Sequence, residues 1–326
     1  MSTEGVAAAR GGQARALLAA LRPHQWTKNL LVFAALIFAF KFLDPQSVLL
    51  AVAGFAVFCA ASSASYLFND VLDLERDRCH PVKSRRPVAS GALAVRTALG
   101  ASGLLAAAAV AGGFVVHWKF GVIVAGYLVL QVAYSTLLKH QVILDVMCIS
   151  ASFLARAYGG AHAIRVPISN WLLICAGLLS LFLALAKRRH ELLQVQDAVN
   201  HRRSLAEYSP QMLDQMIAVV TASTVLAYML YTIWPETVAK FGTDKLKYTI
   251  PFVLYGIFRY LYLVYSKDGG ASPSRHLLTD RPILITVFLY AAASAAIIAA
   301  TAPRREATPA EAERAPPPPA LSEKGR

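Results

Sequence analysis

Four acidic residues fall within eight positions in the run Asn-Asp-Val-Leu-Asp-Leu-Glu-Arg-Asp, from Asn69 to Asp77. At about 100° per residue, a helix carried through this run places Asp70, Asp73 and Asp77 within about 60° of one another. Asn69 then lies about 40° beyond Asp73, and Glu75 points elsewhere. Three carboxylates on one face repel one another. Hard oxygen ligands at this spacing suit Mg²⁺, which keeps part of its water and shares its shell with substrate phosphates. A solvated acidic helix end is the competing reading, but acids at a helix C-terminus oppose the macrodipole. Asn69, Asp70, Asp73 and Asp77 are therefore the candidate metal ligands and catalytic residues.

Directly downstream come Lys83, Arg85 and Arg86. A cation-rich loop beside a metal is what a diphosphate requires, since the metal neutralises some oxygens and Lys or Arg clamps the rest. Ordinary topological charge is the alternative reading of these three. Further candidates for binding substrate are Lys28 beside Trp26 and Asn29, Tyr134 and Lys139 at the end of one apolar stretch, Arg156 within the next, and Lys187, Arg188 and Glu191 at the end of another. Lys187 and Glu191 also have the spacing of a simple helical i, i+4 pair. Asp145 and Arg156 lie within a single apolar run about three turns apart, hence on one face, and charges at membrane depth usually face a bundle interior.

The elements that must carry these groups follow from composition. Of 326 residues, 56% are hydrophobic and only 16% charged, against roughly a quarter in soluble domains. So few charges cannot coat that much apolar surface, which excludes a water-soluble globule. Apolar stretches of roughly spanning length occur at 29–43, 48–68, 97–116, 120–138, 142–163, 170–186, 211–234, 247–265 and 282–302. The expected fold is all-α, a polytopic bundle of about nine transmembrane helices. Alternate connections carry 20 Lys and Arg on one side and six on the other before the C-terminal tail. That bias places the N-terminus and the acidic run in the cytoplasm of a bacterial-type plasma membrane. Residues 1–302 read as one transmembrane catalytic domain, and the Pro-rich stretch 303–326 as a disordered tail.

The net charge of +13 sits in short loops rather than on a soluble patch, so nucleic acid is not an expected partner. Cys59, Cys79, Cys148 and Cys175 have no metal-site spacing, and the three within apolar runs read as small hydrophobes. The Ala-Leu-Leu-Ala-Ala-Leu run ends at Arg22 and Pro23, short of a signal-peptide core, so no cleaved leader is expected.

The motif N-D-x-x-D-x-x-x-D after the second of about nine spans resembles the first aspartate motif of the UbiA superfamily of intramembrane prenyltransferases. The resemblance covers nearly the whole bundle and implies a Mg²⁺-dependent transferase. Typical members carry a second Asp-rich motif after the sixth helix. Here that stretch is Ala-Lys-Arg-Arg-His-Glu-Leu, so Lys187 stands where the leading acid would be. That departure argues against an ordinary prenyl diphosphate donor. Five blocks are similar to the decaprenyl-phosphate phosphoribosyltransferase branch: LRPHQWTKNLL, NDVLDLERDRCHPVKSRRP, YSTLLKH, FLARAYGG and AKRRHEL. This branch implies transfer of 5-phosphoribose from phosphoribosyl diphosphate to a polyprenyl phosphate, in the route to a lipid-linked arabinofuranose donor. A prenyltransferase with an aromatic acceptor and an ion-coupled transporter are the alternatives. Oligomeric state is not legible.

Overall fold

The computed structural model describes residues 3–194, 207–266 and 279–301. The Pro-rich tail, and with it Arg202, Arg203, Lys267 and Arg275 of the charge count, lies outside the described residues. Helix α1 (Thr3–Ala20) leads into a 3-10 segment, Pro23–Phe33, and the short α2 (Ala34–Phe38). There follow α3 (Pro45–Leu72), α4 (Leu74–Arg78), α5 (Val95–Val116), α6 (Trp118–Thr136), α7 (Leu144–Ala163) and α8 (Asn170–Gln194). The chain continues through α9 (Pro210–Ile233), α10 (Pro235–Phe241), α11 (Ile250–Ser266) and α12 (Arg281–Thr301). Among the described residues there is no strand.

Six of these helices, α3, α5, α6, α8, α9 and α12, are each long and apolar enough to cross a membrane. The chain is a multi-pass membrane protein. The three other expected spans fall on α7, which carries Asp145 and Arg156, on the 17-residue α11, and on the broken segment Pro23–Phe38. That last one differs most from expectation. A 3-10 helix rises about 2.0 Å per residue, so its eleven residues together with α2 extend roughly 30 Å, close to a hydrocarbon core. Three residues per turn also aligns side chains that an α-helix would scatter. Trp26, Asn29 and Val32 share one face, which is turned into the bundle.

Small residues let the segment approach. A methyl group at Gly160 of α7 would collide with the Val32 carbonyl group and Cα, and Gly159 sits against Phe58 and Phe120. The two largest of four apolar clusters among the described residues form the centre of the core. One joins Val32, Phe58, Ala109, Phe120, Tyr127 and Ala163. The other joins Val146 with Phe182, Leu185, Leu213, Ile217, Tyr260 and Ile283. Helix α7 contributes to both, Ala163 to the first and Val146 to the second. The candidate site residues of the acidic run gather at the end of the bundle where α3 stops and α7 starts.

Candidate active site

The acidic run does not continue α3 unbroken. Asp73 leaves helical geometry at φ −92°, ψ 9°, and α4 restarts after it, the Asp77 N–H donating to the Asp73 carbonyl at 2.8 Å. The expected single face of carboxylates is thereby divided. Asp70 and Asp77 are 1% and 3% exposed and share Arg86, whose Nη1 donates to Asp70 Oδ1 at 3.1 Å and to Asp77 Oδ2 at 2.6 Å. Arg22 also pairs with Asp70 Oδ1. Asp73 instead accepts from Lys139 Nζ at 2.7 Å and from Asn69 Nδ2 at 3.0 Å. Glu75 points outward to Arg78. Among the described residues no three Asp, Glu, His or Cys side chains converge as a ready cage. One oxygen remains open: Asp70 Oδ2 is buried with no hydrogen-bond partner among the described residues. A desolvated carboxylate oxygen is costly unless a cation meets it.

The basic loop is folded by its own sequence. His80 Nδ1 accepts from the Val82 and Lys83 N–H groups at 3.1 and 3.3 Å, and a 3-10 turn, Lys83–Arg85, follows. Val88 and Leu93 anchor the far end against Ala20, Leu67 and Ala98. Arg86 is thereby aimed back at the aspartates, while Arg85 is exposed. Lys83 is partly buried, with Asp77, Glu191 and Asp73 in electrostatic reach. Burial, then the neighbouring Arg86 charge, pulls its pKa below the ordinary lysine value.

Deeper in the bundle, Asn29 is fully buried and donates to Ser62 Oγ at 3.2 Å and to Cys59 Sγ at 3.3 Å. Its Oδ1 accepts from Arg156 Nε at 2.7 Å. Arg156 also donates to the Ser152 carbonyl at 2.5 Å and to Tyr127 Oη at 3.0 Å, and lies over the Tyr127 ring. All three of its nitrogens are engaged by protein. Arg156, expected among the substrate-binding cations, instead anchors the 3-10 segment. Lys28, on another face of that segment, has Lys187, Arg156 and Arg22 in electrostatic reach. Positive charge gathered in this way favours an anion.

Across the mouth stands the end of α8. Arg188 is 2% exposed and donates Nε to Asp145 Oδ2 at 2.8 Å, and its Nη1 pairs with Glu191. Asp145 and Arg156, placed on one face by sequence, are thus not partners. Lys187 is half exposed, its Nζ 3.7 Å from Glu191. Tyr134 is partly buried near the end of α6. Sequence reasoning missed Tyr208, whose hydroxyl donates to Asp145 Oδ1 at 2.9 Å. Its signal was faint, a single tyrosine just before the Ser-Pro that starts α9. The pairing of Arg22 with Asp70 was likewise not legible in the sequence. A cavity of about 550 Å³ lies elsewhere, between α9 and α11, with a mostly apolar lining that includes Val225, Leu226, Leu254 and Phe258. It suits hydrocarbon, not phosphate.

The fold and the site together define a class: a helical membrane protein whose one mouth combines buried aspartates with a surplus of Lys and Arg. The model of the UbiA prenyltransferase family matches residues 30–279, and the chain belongs to that family. It is 34% identical over 282 residues to the decaprenyl-phosphate phosphoribosyltransferase of Mycolicibacterium smegmatis, covering 82% of this chain and 88% of that one. The protein of the same name from Mycobacterium tuberculosis H37Rv is 33% identical over 289 residues, 86% of this chain and 93% of that one. A structure of a UbiA homolog from Archaeoglobus fulgidus bound to DMAPP and Mg²⁺ superposes with a TM-score of 0.68 at 20% identity, over 87% of this chain and 99% of that chain. At that identity the likeness establishes the fold.

Proposed function

We propose that this protein transfers 5-phosphoribose from phosphoribosyl diphosphate to a polyprenyl phosphate, releasing diphosphate and supplying a lipid-linked arabinofuranose precursor. The observation that carries the reading is the asymmetry of the mouth. The cluster of Asp70, Asp73 and Asp77 stands on one side, and across from it stand Lys187 and Arg188, the latter held by Asp145 and Glu191. Such a site suits a donor bearing a diphosphate and a separate phosphate, and it agrees with the names of the curated relatives. The mouth faces the cytoplasm across the plasma membrane, a placement supported by the excess of Lys and Arg at that end.

Mg²⁺ fits the residues present, because Asp70 Oδ2 is a buried oxygen with no partner among the described residues. Asp70, Asp73, Asp77 and Asn69 would hold it, and when bound it would neutralise diphosphate oxygens. Arg86 and Lys83 steady the charge that develops on the leaving diphosphate. Lys28, Lys187 and the open edge of Arg188 receive the remaining phosphate oxygens, with Tyr134 and Lys139 lining the approach. An oxygen of the lipid phosphate bonds to C1 while the C1–O bond to diphosphate breaks, the electron pair leaving with the diphosphate. A phosphate monoester is already anionic near neutral pH, so no strong base is needed. Positioning and charge stabilisation supply the rate.

Membranes containing the protein are incubated with phosphoribosyl diphosphate labelled in the ribose and with a polyprenyl phosphate. Label should enter the organic phase, disappear with a chelator, return with Mg²⁺, and fall at least about a hundredfold in Asp73→Ala and Asp77→Ala. Incorporation only from labelled prenyl diphosphate would replace this reading with an aromatic prenyltransferase.

A further inference from the structure

Between Lys139 and Asp145 the backbone makes an unusual turn. Ile143 has φ 69° and ψ −48°, and the Leu144 N–H donates to the Val142 carbonyl at 2.8 Å. This is a three-residue turn of the positive-φ kind, rare and strained, and more so for a β-branched residue. Such conformations persist where surrounding contacts hold them. Here the contact is Tyr208. Its hydroxyl oxygen accepts from the Ile143 N–H at 2.7 Å while its O–H donates to Asp145 Oδ1 at 2.9 Å. Tyr208 is 5% exposed. Burial, opposed by the Ile143 N–H and reinforced by Asp145, pushes its pKa up to about 12, so the donor proton stays in place.

The same hydroxyl therefore serves both walls of the mouth. Four residues before the turn, Lys139 reaches Asp73 at 2.7 Å. Two residues after it, Asp145 accepts from the Val146 N–H at 2.8 Å, from Tyr208, and from Arg188 Nε at 2.8 Å. Its place in the first turn of α7 adds the favourable end of the helix dipole. With Nε held by Asp145 and Nη1 by Glu191, Arg188 keeps Nη2 without a partner among the described residues. A guanidinium whose orientation is already set loses little entropy when that last edge meets an oxygen.

We propose that Tyr208 and Asp145 are positioning residues for the donor site, Asp145 orienting Arg188 toward a phosphate of phosphoribosyl diphosphate and Tyr208 locking Asp145 to the turn that carries Lys139. The proposal rests on the transfer reaction above. Both residues act through Arg188 and Lys139 and touch no reacting atom.

The test uses the full chain in membranes or detergent. Tyr208→Phe removes both hydrogen bonds at nearly constant volume. It should raise the KM for phosphoribosyl diphosphate about tenfold, leave the KM for polyprenyl phosphate within about twofold, and keep the thermal midpoint within a few degrees. Asp145→Asn, which keeps the shape but not the charge, should move the donor KM in the same direction and further. An unshifted donor KM in both variants overturns the proposal, as does a parallel fall of every kinetic parameter with the folded fraction. Failure of both variants to fold assigns the network to the scaffold and likewise overturns it. No transfer by the wild-type protein removes the reaction itself and takes the proposal with it. Wild-type transfer with an unshifted variant removes only the positioning role.

Discussion

At the scale of single residues, each cation near the mouth is distinguished by what already holds it. Lys139 is engaged by Asp73, Arg86 by two carboxylates, and Arg156 by Asn29, Ser152 and Tyr127. Lys83 differs: it is partly buried in a loop, facing Asp77, Glu191 and Asp73, with Arg86 beside it. Burial and Arg86 disfavour its charged form, so it loses its proton below the ordinary lysine range. If the ammonium steadies the leaving diphosphate, kcat/KM for the donor falls on the alkaline side as Lys83 neutralises. The fall begins below pH 10.5 and approaches tenfold per pH unit once the group is neutral. Lys83→Arg keeps the charge and should flatten this limb. A pH series from 7 to 10 on the two proteins checks it, and an identical limb in both would exclude Lys83 from the binding of charge.

At the scale of elements, the 3-10 segment and α7 make a single unit. Asn29 and Val32 are three residues apart on one, Arg156 and Gly160 four apart on the other, so each pair stacks along its own helix and the two meet. Hydropathy marks this stretch as apolar but is blind to whether it winds at 3.0 or 3.6 residues per turn. The deciding contact is the one at Gly160, where an added methyl group would meet the Val32 carbonyl. Gly160→Ala must push the segment away and stretch the 2.7 Å bond from Arg156 to Asn29. Overpacking against backbone costs about 2–3 kcal/mol. The expected result is a clearly lowered thermal midpoint with activity falling further than folded protein does. Gly126→Ala, where nothing lies within 4 Å, is the control and should be neutral or slightly stabilising. Equal behaviour of the two variants would show that the close approach does not matter.

At the scale of the whole molecule, two apolar clusters joined through α7 leave the polar groups at one end of the bundle. The proposed orientation turns that end toward the cytoplasm, and Cys79 offers a direct check. It is exposed in the loop after α4, whereas Cys59 and Cys148 are buried and Cys175 partly so. In a protein with those three replaced by Ala, a membrane-impermeant maleimide should label Cys79 in inside-out vesicles and leave it unlabelled in sealed right-side-out ones. The reverse pattern would invert the topology and place the mouth outside.

The all-helical membrane class, the acidic run, the basic loop beside it and the family were legible in the order of residues. Hydropathy, charge bias and motif spacing are local properties, and they survive without knowledge of distant neighbours. Pairing was not legible. Arg22 meets Asp70 across 48 positions, Lys139 meets Asp73 across 66, and Arg156 meets Asn29 across 127. Sequence spacing put Asp145 with Arg156 because they share a helical face. The fold gave Asp145 to Arg188 and Arg156 to Asn29, because a buried ion or amide takes whichever complementary group the packing brings within about 3 Å. What the residues alone determined is that charge concentrates at one end of a membrane bundle. Only the tertiary structure decided which of those charges hold one another and which are left for a substrate.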